Sequence, residues 1–457
     1  MIHILDRSVP IRAAGLRVAE LLLVFATLFV AWMSGSEARL NWTAATYVQV
    51  CIVATVVLFC MYCLDLYDPQ VAAHQLHSFS RIVQAIGLTM LAIPLLTWLW
   101  MPIDVLRMVS AMFLLGAALT GSRYLFSELA ARAAFTEPAV VWGSGPLAAS
   151  IISEIRKRPD LRLRVMGIVE NGDAARSFAN VRYLGTPDAI WNLSRLGNAR
   201  KIIVAIAERR GCLPAERLMS LKTAGITFDD GAELYEQLTG KVWLRAFSTS
   251  SLLFSRKFHK SRLTLFVNRC LSGLCAVIAL IVAAPVMLVV AVLIRLDSGG
   301  PVILRQTRIG ENGRYFTLFK FRSMKVGSDR ESILAPATHD DPRCTRVGKW
   351  IRRFRLDELP QLFNIIKGDM YFIGPRPFVP DQEAELVQHI PNYCQRWIVR
   401  PGITGWAQVH RGYCASIEDN EDKLSYDLFY IKNRSMTLDA VTLLKTLKII
   451  LLGRGGR

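Results

Sequence analysis

Residues 271–294 read LSGLCAVIALIVAAPVMLVVAVLI, 24 consecutive residues without a charge, with Pro285 just past the middle. About 20 apolar residues suffice to cross a ~30 Å hydrocarbon core as a helix, so length alone predicts a transmembrane span. The flanks argue against a simple crossing. Arg256, Lys257, Lys260, Arg262 and Arg269 precede the stretch, and Arg295, Arg305, Arg308 and Arg314 follow it. Positive flanks favour the cytoplasmic side, and here both flanks are positive. Proline removes a backbone donor and clashes with the preceding turn, which bends a helix at that point. The predicted element is therefore a re-entrant helix over about 263–296 that enters the membrane, breaks at Ala284-Pro285 and returns to the same side.

Upstream, four more apolar stretches lie at about 16–34, 43–64, 82–103 and 108–126. The second and third run 22 residues without a charge. The first carries Glu20, and the fourth has only 15 residues between Arg107 and Arg123. Residues 1–135 are expected to form a four-helix transmembrane region. Arg7, Arg12 and Arg17 precede the first helix and place the N-terminus in the cytoplasm. With no convincing small-residue cleavage site behind it, this helix reads as an anchor and not as a removed signal. The expected location is a membrane, with the C-terminal part of the chain cytoplasmic.

The 457-residue chain is 52% hydrophobic, with a mean hydropathy of +0.30 and a formal net charge of +18. That composition excludes disorder, collagen and coiled coil. Residues 246–330 hold 13 Lys/Arg against 3 Asp/Glu, while residues 1–135 are nearly balanced at 8 against 7. A basic collar around an apolar segment, without zinc-finger spacing or a helix-turn-helix signal, points to anionic lipid headgroups and not to nucleic acid. The nine cysteines include Cys60 and Cys63 at redox-motif spacing. Inside an apolar run such a pair reads as packing, and no disulfide is expected.

Residues 136–245 change character. Strand-like runs at Pro138–Trp142, Val165–Val169 and Lys201–Ala207 alternate with a helical pattern from Ala149 to Arg156. This is the signature of a Rossmann-like α/β module with a parallel sheet. Gly143-Ser144-Gly145 at the first strand–helix turn could hold a pyrophosphate, with Glu170 placed for a ribose. The competing reading is a structural module whose glycines only make the turn. The chain holds no Tyr-x-x-x-Lys pair for dehydrogenase chemistry, so the module is expected to be non-catalytic, serving regulation or pairing with a second copy as a homodimer.

Residues 300–457 are dense in short polar signatures. They include Lys320-Phe-Arg322, Asp341-Pro-Arg343, Leu356-Asp357-Glu358-Leu-Pro360, Gly374-Pro-Arg376-Pro377 and Arg400-Pro-Gly402-Ile-Thr404-Gly405-Trp406. Asp357 and Glu358 sit among Leu356, Leu359, Leu362 and Phe363. Adjacent carboxylates in a low-dielectric setting repel, which invites a divalent cation or an arginine. Magnesium suits one or two carboxylates completed by substrate phosphates, and a carboxylate can itself attack phosphorus. The alternative is a solvated pair beside Arg352, Arg353 and Arg355.

In this order the signatures over about 262–457 resemble the bacterial sugar transferase family, the monotopic phosphoglycosyl transferases that start polysaccharide assembly on a polyprenyl phosphate. The upstream layout is similar to the long members of that family. The resemblance implies a mainly α monotopic catalytic domain at 246–457 that transfers hexose 1-phosphate from a UDP-sugar, UDP-glucose above others, to undecaprenyl phosphate and releases UMP. It implies Asp357 as nucleophile, Glu358 as its partner in a Mg²⁺-binding dyad, Arg376 as a phosphate grip and Pro285 as the helix break. Arg352, Lys320, Arg322 and Arg400 are further candidates for substrate phosphates. Gln408-Val-His410-Arg411-Gly412 looks like members that use UDP-glucose, although those commonly carry Asn where this chain has His410, which leaves UDP-galactose and acetamido-sugar donors open. The terminal stretch Leu438–Leu452, with Lys445 and Lys448, suits a helix lying in the interface. Two rival readings are a membrane-anchored, NAD-dependent nucleotide-sugar dehydratase or epimerase and a polysaccharide-export scaffold.

Overall fold

The computed structural model describes all residues except 1, 5–6, 10, 34–43, 68–74, 101–104, 132–135, 159–160, 162, 171–180, 187, 192–198, 207–214, 224, 248–261, 326, 328–341, 413–415 and 453–457. The expected signature at Asp341 and the end of the strand at Ala207 lie outside the described residues. The chain divides into two compact units, Met1–Leu238 and Thr239–Arg457.

The first unit opens with a short antiparallel pair, β1 (Ile2–Ile4) and β2 (Arg7–Val9). Four apolar helices follow: α1 (Ile11–Met33), α2 (Ala44–Cys63), α3 (Gln75–Trp100) and α4 (Val105–Ala131). Val24 and Leu28, Val53 and Val57, Ile82 and Ala85, and Met112, Leu115 and Leu119 bring all four into one buried cluster. Large apolar side chains such as Leu22, Leu91 and Phe113 also stand exposed on the outside. The charges that interrupt α1 and α4 in sequence meet in space. Arg123 Nε lies 2.6 Å from Glu20 Oε1, its Nη2 lies 3.2 Å from Oε2, and its Nη1 donates to Ser78 Oγ at 2.9 Å. Glu20 is wholly buried, so two apparent defects form one bidentate tie across three helices. Among the described residues, 108–126 and 268–298 are long and apolar enough to cross a membrane, while 47–63 and 78–92 are apolar but shorter.

The same unit contains a five-stranded parallel sheet. Its strands are β3 (Glu137–Trp142), β4 (Leu163–Val169), β5 (Tyr183–Gly185), β6 (Lys201–Val204) and β7 (Thr227–Asp230), in the order β5-β4-β3-β6-β7. The helices α5 (Pro146–Lys157), α6 (Asp188–Trp191), α7 (Ala215–Thr223) and α8 (Gly231–Thr239) alternate with the strands. Chain order outward from a central first strand in both directions is the doubly wound, Rossmann-like arrangement. Buried Val140, Val169, Ile202 and Val204 form the core of the sheet, since a parallel sheet is covered on both faces. The turn after β3 needs its glycine. Gly143 has φ +127, and a Cβ there would stand 2.7 Å from Ala205 O. Glu170 Oε2 accepts a hydrogen bond from Ser144 N at 2.9 Å, so its carboxylate already engages a backbone donor of this turn.

The longest helix of the second unit is α9 (Arg262–Ser298), 37 residues with Pro285 inside and a backbone that stays helical through it. The antiparallel hairpin β8 (Ile303–Ile309) and β9 (Tyr315–Phe321) follows. Next come α10 (Arg346–Arg353), α11 (Gln361–Lys367), β10 (Tyr371–Ile373), α12 (Pro380–His389), β11 (Gly402–Thr404), α13 (Trp406–His410), α14 (Ile417–Asn433) and α15 (Met436–Leu451).

Both ends of α9 are fastened to this unit. Arg269 donates from Nη1 and Nη2 to Ile365 O and Ile366 O at 2.5 and 2.6 Å, placing a cation on carbonyls at the C-terminus of α11. Asp297 Oδ2 accepts from Val347 N at 3.1 Å, an anion at the N-terminus of α10. Ala276 shares a buried cluster with Leu318 of β9, and Val290 and Ile294 share one with Phe321 of the same strand. Residues 281–289 between these contacts are uncovered apart from partial cover at Ala283 and Met287; Ile281, Val282 and Leu288 are each about 70% exposed.

Candidate active site

The dyad sits in a turn that the flanking elements force. Thr345 caps α10 by accepting from Gly348 N at 2.9 Å, and Pro360 leads into α11. Between the two helices Arg355 adopts a left-handed conformation, φ +57, and turns the chain into a single 3₁₀ turn over Leu356–Glu358. A non-glycine residue there is strained, and such strain concentrates at functional sites. Leu356 and Leu359 hold the turn against the cluster around Phe321 and Ile351.

Glu358 is buried, and three cations converge on its Oε1. Arg376 Nη2 stands at 3.0 Å, Arg355 Nη1 at 3.2 Å and Lys320 Nζ at 3.7 Å. Burial pushes this carboxyl up, but Arg376, Lys320 and Arg355 together outweigh it and hold it down at about 2. Asp357 goes the other way. Burial raises it first and the charge of Glu358 raises it further, against the pull of Lys320, Arg355 and Arg352. Its Oδ1 is buried and has no hydrogen-bond partner among the described residues. The two adjacent carboxylates are thus unequal: one is saturated with cations, and the other presents an unpaired acceptor. Burial and nearby Arg376 lower Lys320 to about 8, and the same causes lower Arg308 to about 10.

Arg376 is placed by two glycine motifs that pack on each other. β10 and β11 pair in parallel, Tyr371 opposite Gly402 and Ile373 opposite Thr404. A Cβ on Gly402 would come within 2.1 Å of Gly374 N, and one on Gly374 within 2.5 Å of Arg400 O. Only glycine permits that approach, which is why the Gly374-Pro-Arg376 and Arg400-Pro-Gly402 motifs lie side by side. Behind them lies a residue the sequence did not reveal. Arg396, 3% exposed, donates from Nη2 to Arg376 O at 3.0 Å and to Asp427 Oδ2 at 2.9 Å. Its Nη1 reaches Glu383 Oε1 at 3.4 Å and the Tyr393 hydroxyl, and its guanidinium stacks 4.8 Å from the Phe378 ring. Nothing local marks it, since its acidic partners lie 13 and 31 residues away.

The other expected phosphate ligands are dispersed. Lys320 joins the dyad. Arg352 donates to Cys344 Sγ at 2.9 Å, near enough for its charge to act on Asp357. Arg322 is buried against the backbone of Gly300, with Nη2 unpaired. Arg400 pairs with Glu311 at 2.9 Å and stacks on Tyr371, and among the described residues it makes no hydrogen bond or ion pair with the dyad. His410 lies at the end of α13. Its Nδ1 is 2.8 Å from Trp406 O and its Nε2 is 2.7 Å from Lys445 Nζ of α15. Among the described residues no three His, Cys, Asp or Glu gather to hold a metal by themselves. A cation at the dyad would need further ligands from substrate, as magnesium commonly takes them, and the orphaned Asp357 Oδ1 fits that requirement.

A bacterial sugar transferase family model matches residues 263–453, which contain the whole of this site. An exopolysaccharide production protein, PSS, of Rhizobium leguminosarum bv. phaseoli is 41% identical over 166 residues, 35% of this chain and 83% of that protein. The chain belongs to the bacterial sugar transferase family. A UDP-N-acetylgalactosamine-undecaprenyl-phosphate N-acetylgalactosaminephosphotransferase of Aeromonas hydrophila is 44% identical over 225 residues, 49% of this chain and 52% of that protein. A UDP-glucose:undecaprenyl-phosphate glucose-1-phosphate transferase of Xanthomonas campestris pv. campestris is 46% identical over 166 residues, 36% of this family member and 34% of the relative. The chain thus spans about half the length of the Aeromonas relative and about a third of the Xanthomonas one. Outside the sugar transferase region, a CoA-binding domain model matches residues 62–211, which include the first four strands of the parallel sheet.

Proposed function

We propose that this chain transfers hexose 1-phosphate from a UDP-sugar to undecaprenyl phosphate, releasing UMP, as the first committed step of exopolysaccharide or capsule assembly. The observation that carries the reading is the asymmetry of the dyad: an unpaired buried Asp357 beside a Glu358 held by three cations.

In this mechanism the Asp357 carboxylate attacks the phosphorus that bears the sugar. A new Asp–O–P bond forms, the P–O bond to UMP breaks, and UMP departs with the electron pair. An oxygen of undecaprenyl phosphate then attacks the same phosphorus, and the Asp357 carboxylate leaves. The product is a lipid diphosphate sugar. Arg376, Arg355 and Lys320 offset the charge that two phosphates and a carboxylate bring together, where phosphoryl transfer gains most of its rate. Mg²⁺ would be held by Asp357 and Glu358 and would supply further neutralisation of the diphosphate. UDP-glucose is the donor we put first. The Aeromonas relative, named for N-acetylgalactosamine, makes UDP-N-acetylgalactosamine the second donor to assay.

The chemistry joins a water-soluble donor to a membrane lipid, and α9 suits that boundary. A straight helix from Arg269 to Asp297 would run about 42 Å, yet both residues are tied to one small unit. The uncovered, apolar stretch around Pro285 fits insertion into one leaflet and return. Helices α1–α4, apolar both inside and outside, fit a multi-pass anchor with the catalytic unit on the cytoplasmic side. The parallel-sheet module is assigned to regulation or self-association.

The decisive experiment is UMP release from UDP-sugars by detergent-purified protein with Mg²⁺ and undecaprenyl phosphate, beside Asp357→Asn. Release that vanishes in the variant, with a phosphohexose adduct on the Asp357 peptide of the wild type, is the expected result. UMP release that survives Asp357→Asn overturns the assignment.

A further inference from the structure

We infer that the cleft beside the dyad receives the first isoprene units of the lipid acceptor, with the acceptor's phosphate at the Arg355 end; this rests on the transferase reading above. A cavity of about 310 Å³ opens next to Glu358 and Arg355. Its walls are hydrocarbon from five elements: Ala279 of α9, Leu362 of α11, Phe372 of β10, Ile403 of β11, and Leu443 and Ile449 of α15.

The few polar groups on the walls are nearly all spent on one another. Thr404 and Thr446 place their hydroxyls 2.7 Å apart, and Thr446 donates onward to Thr442 O at 2.8 Å. Gln408 Nε2 donates to Ile403 O at 3.1 Å, which leaves Gln408 Oε1 as a single unpaired acceptor. A nucleobase or a sugar carries several donors and acceptors and would lose most of them here, whereas a branched hydrocarbon needs only apolar area.

The chemistry of the lining matches an amphiphile. Arg355 and Glu358 line the cleft, and Arg376 and Lys320 join Arg355 around Glu358, where a phosphate can be met. The remaining walls are apolar and include Ala279 of α9, the same helix whose residues 281–289 are largely uncovered apolar surface. Charge at the head and hydrocarbon behind it is the sequence of groups in a prenyl phosphate.

Photolabelling of the wild-type chain tests this, using a short prenyl phosphate with a diazirine on its second isoprene unit. The label should map to residues 403–409 and 443–450 and be competed by undecaprenyl phosphate. Label confined to residues 281–289, or competition by UDP-glucose instead, overturns the inference. Ile449→Trp, which fills the cleft, should raise KM for the lipid acceptor about tenfold more than KM for UDP-glucose. Equal effects on the two KM values, or a larger effect on UDP-glucose, also overturn it. A failure of the transferase reading shows separately, as UMP release that survives Asp357→Asn.

Discussion

Arg376 Nη2 lies 3.0 Å from Glu358 Oε1, and the backbone carbonyl of the same arginine is held at 3.0 Å by Arg396 Nη2. Arg376 therefore has a fixed backbone and a side chain committed to the dyad. Arg376→Ala removes the cation with the greatest pull on Glu358 and, in the mechanism proposed above, a donor for the substrate phosphate. UMP release should fall about 100-fold or more, the scale of losing a preorganised charge-stabilising donor. Arg376→Lys should recover little, because an ammonium cannot reproduce the planar fork. Steady-state assays of both variants decide this.

Arg396 holds the motif without touching the dyad. Arg396→Met would leave Glu383 and Asp427 buried without their shared cation. Breaking a buried ion pair by removing one partner costs about 3–5 kcal/mol. The detergent-solubilised variant should melt well below wild type, and activity should drop with the displaced Arg376. A wild-type melting temperature would show that the network contributes nothing to folding.

Much of this site was legible because its members are neighbours in sequence or sit in glycine-marked motifs. Asp357 and Glu358 are adjacent, and Arg376 is flanked by prolines and a glycine that the parallel pairing of β10 and β11 requires. Arg396 was not legible, since a buried arginine and an exposed one look alike in sequence. Arg400 shows the same limit: its partner Glu311 lies 89 residues away on the β8–β9 turn, so the pair has no local signal. In the same way Glu20 and Arg123, 103 residues apart, each weakened the apolar segment that carried it, because pairing over that distance has no local signal.

The Glu20–Arg123 pair gives its own prediction. Both side chains are buried among α1, α3 and α4, so neither can be lost alone without stranding the other. Glu20→Ala or Arg123→Ala should destabilise the purified protein by about 3–5 kcal/mol. The double variant Glu20→Leu/Arg123→Leu should recover much of that, since apolar replacements of a buried pair are often tolerated. Thermal melts of the three variants separate a structural tie from a pair that adds nothing.

Asp422 gives a pH-dependent case away from the dyad. Burial would raise its carboxyl, but hydrogen bonds from Lys241, at 2.7 Å, and from Arg411 prevail and lower it. A carboxyl whose folded pKa is depressed adds stability above its unfolded value, near 3.9, and loses it as pH falls through the folded value. The side chain is partly solvated, so the gain is about 1 kcal/mol or less. Asp422→Asn should melt below wild type at pH 7, and the gap should start to narrow as pH falls below about 4. A gap that stays constant from pH 7 down to the acid-unfolding limit would refute the charge-based origin.

Pro285 bears on how α9 meets the membrane. The 37 residues of α9 would extend about 55 Å if straight, far beyond a ~30 Å hydrocarbon core. Proline at 285 cannot donate to the carbonyl of Ile281, and that missing bond is where a bend is least costly. Pro285→Ala restores the donor and favours a straight helix that carries Ser298 across the bilayer. With a cysteine at 298 in a cysteine-free background, an impermeant maleimide added from the cytoplasmic face should label the otherwise wild-type chain in oriented vesicles. The Pro285→Ala chain should lose a large part of that labelling, and UMP release should fall with it. Labelling of the Pro285 chain only from the opposite face would mean that α9 crosses the membrane, leaving its contacts at Arg269 and Asp297 on opposite sides.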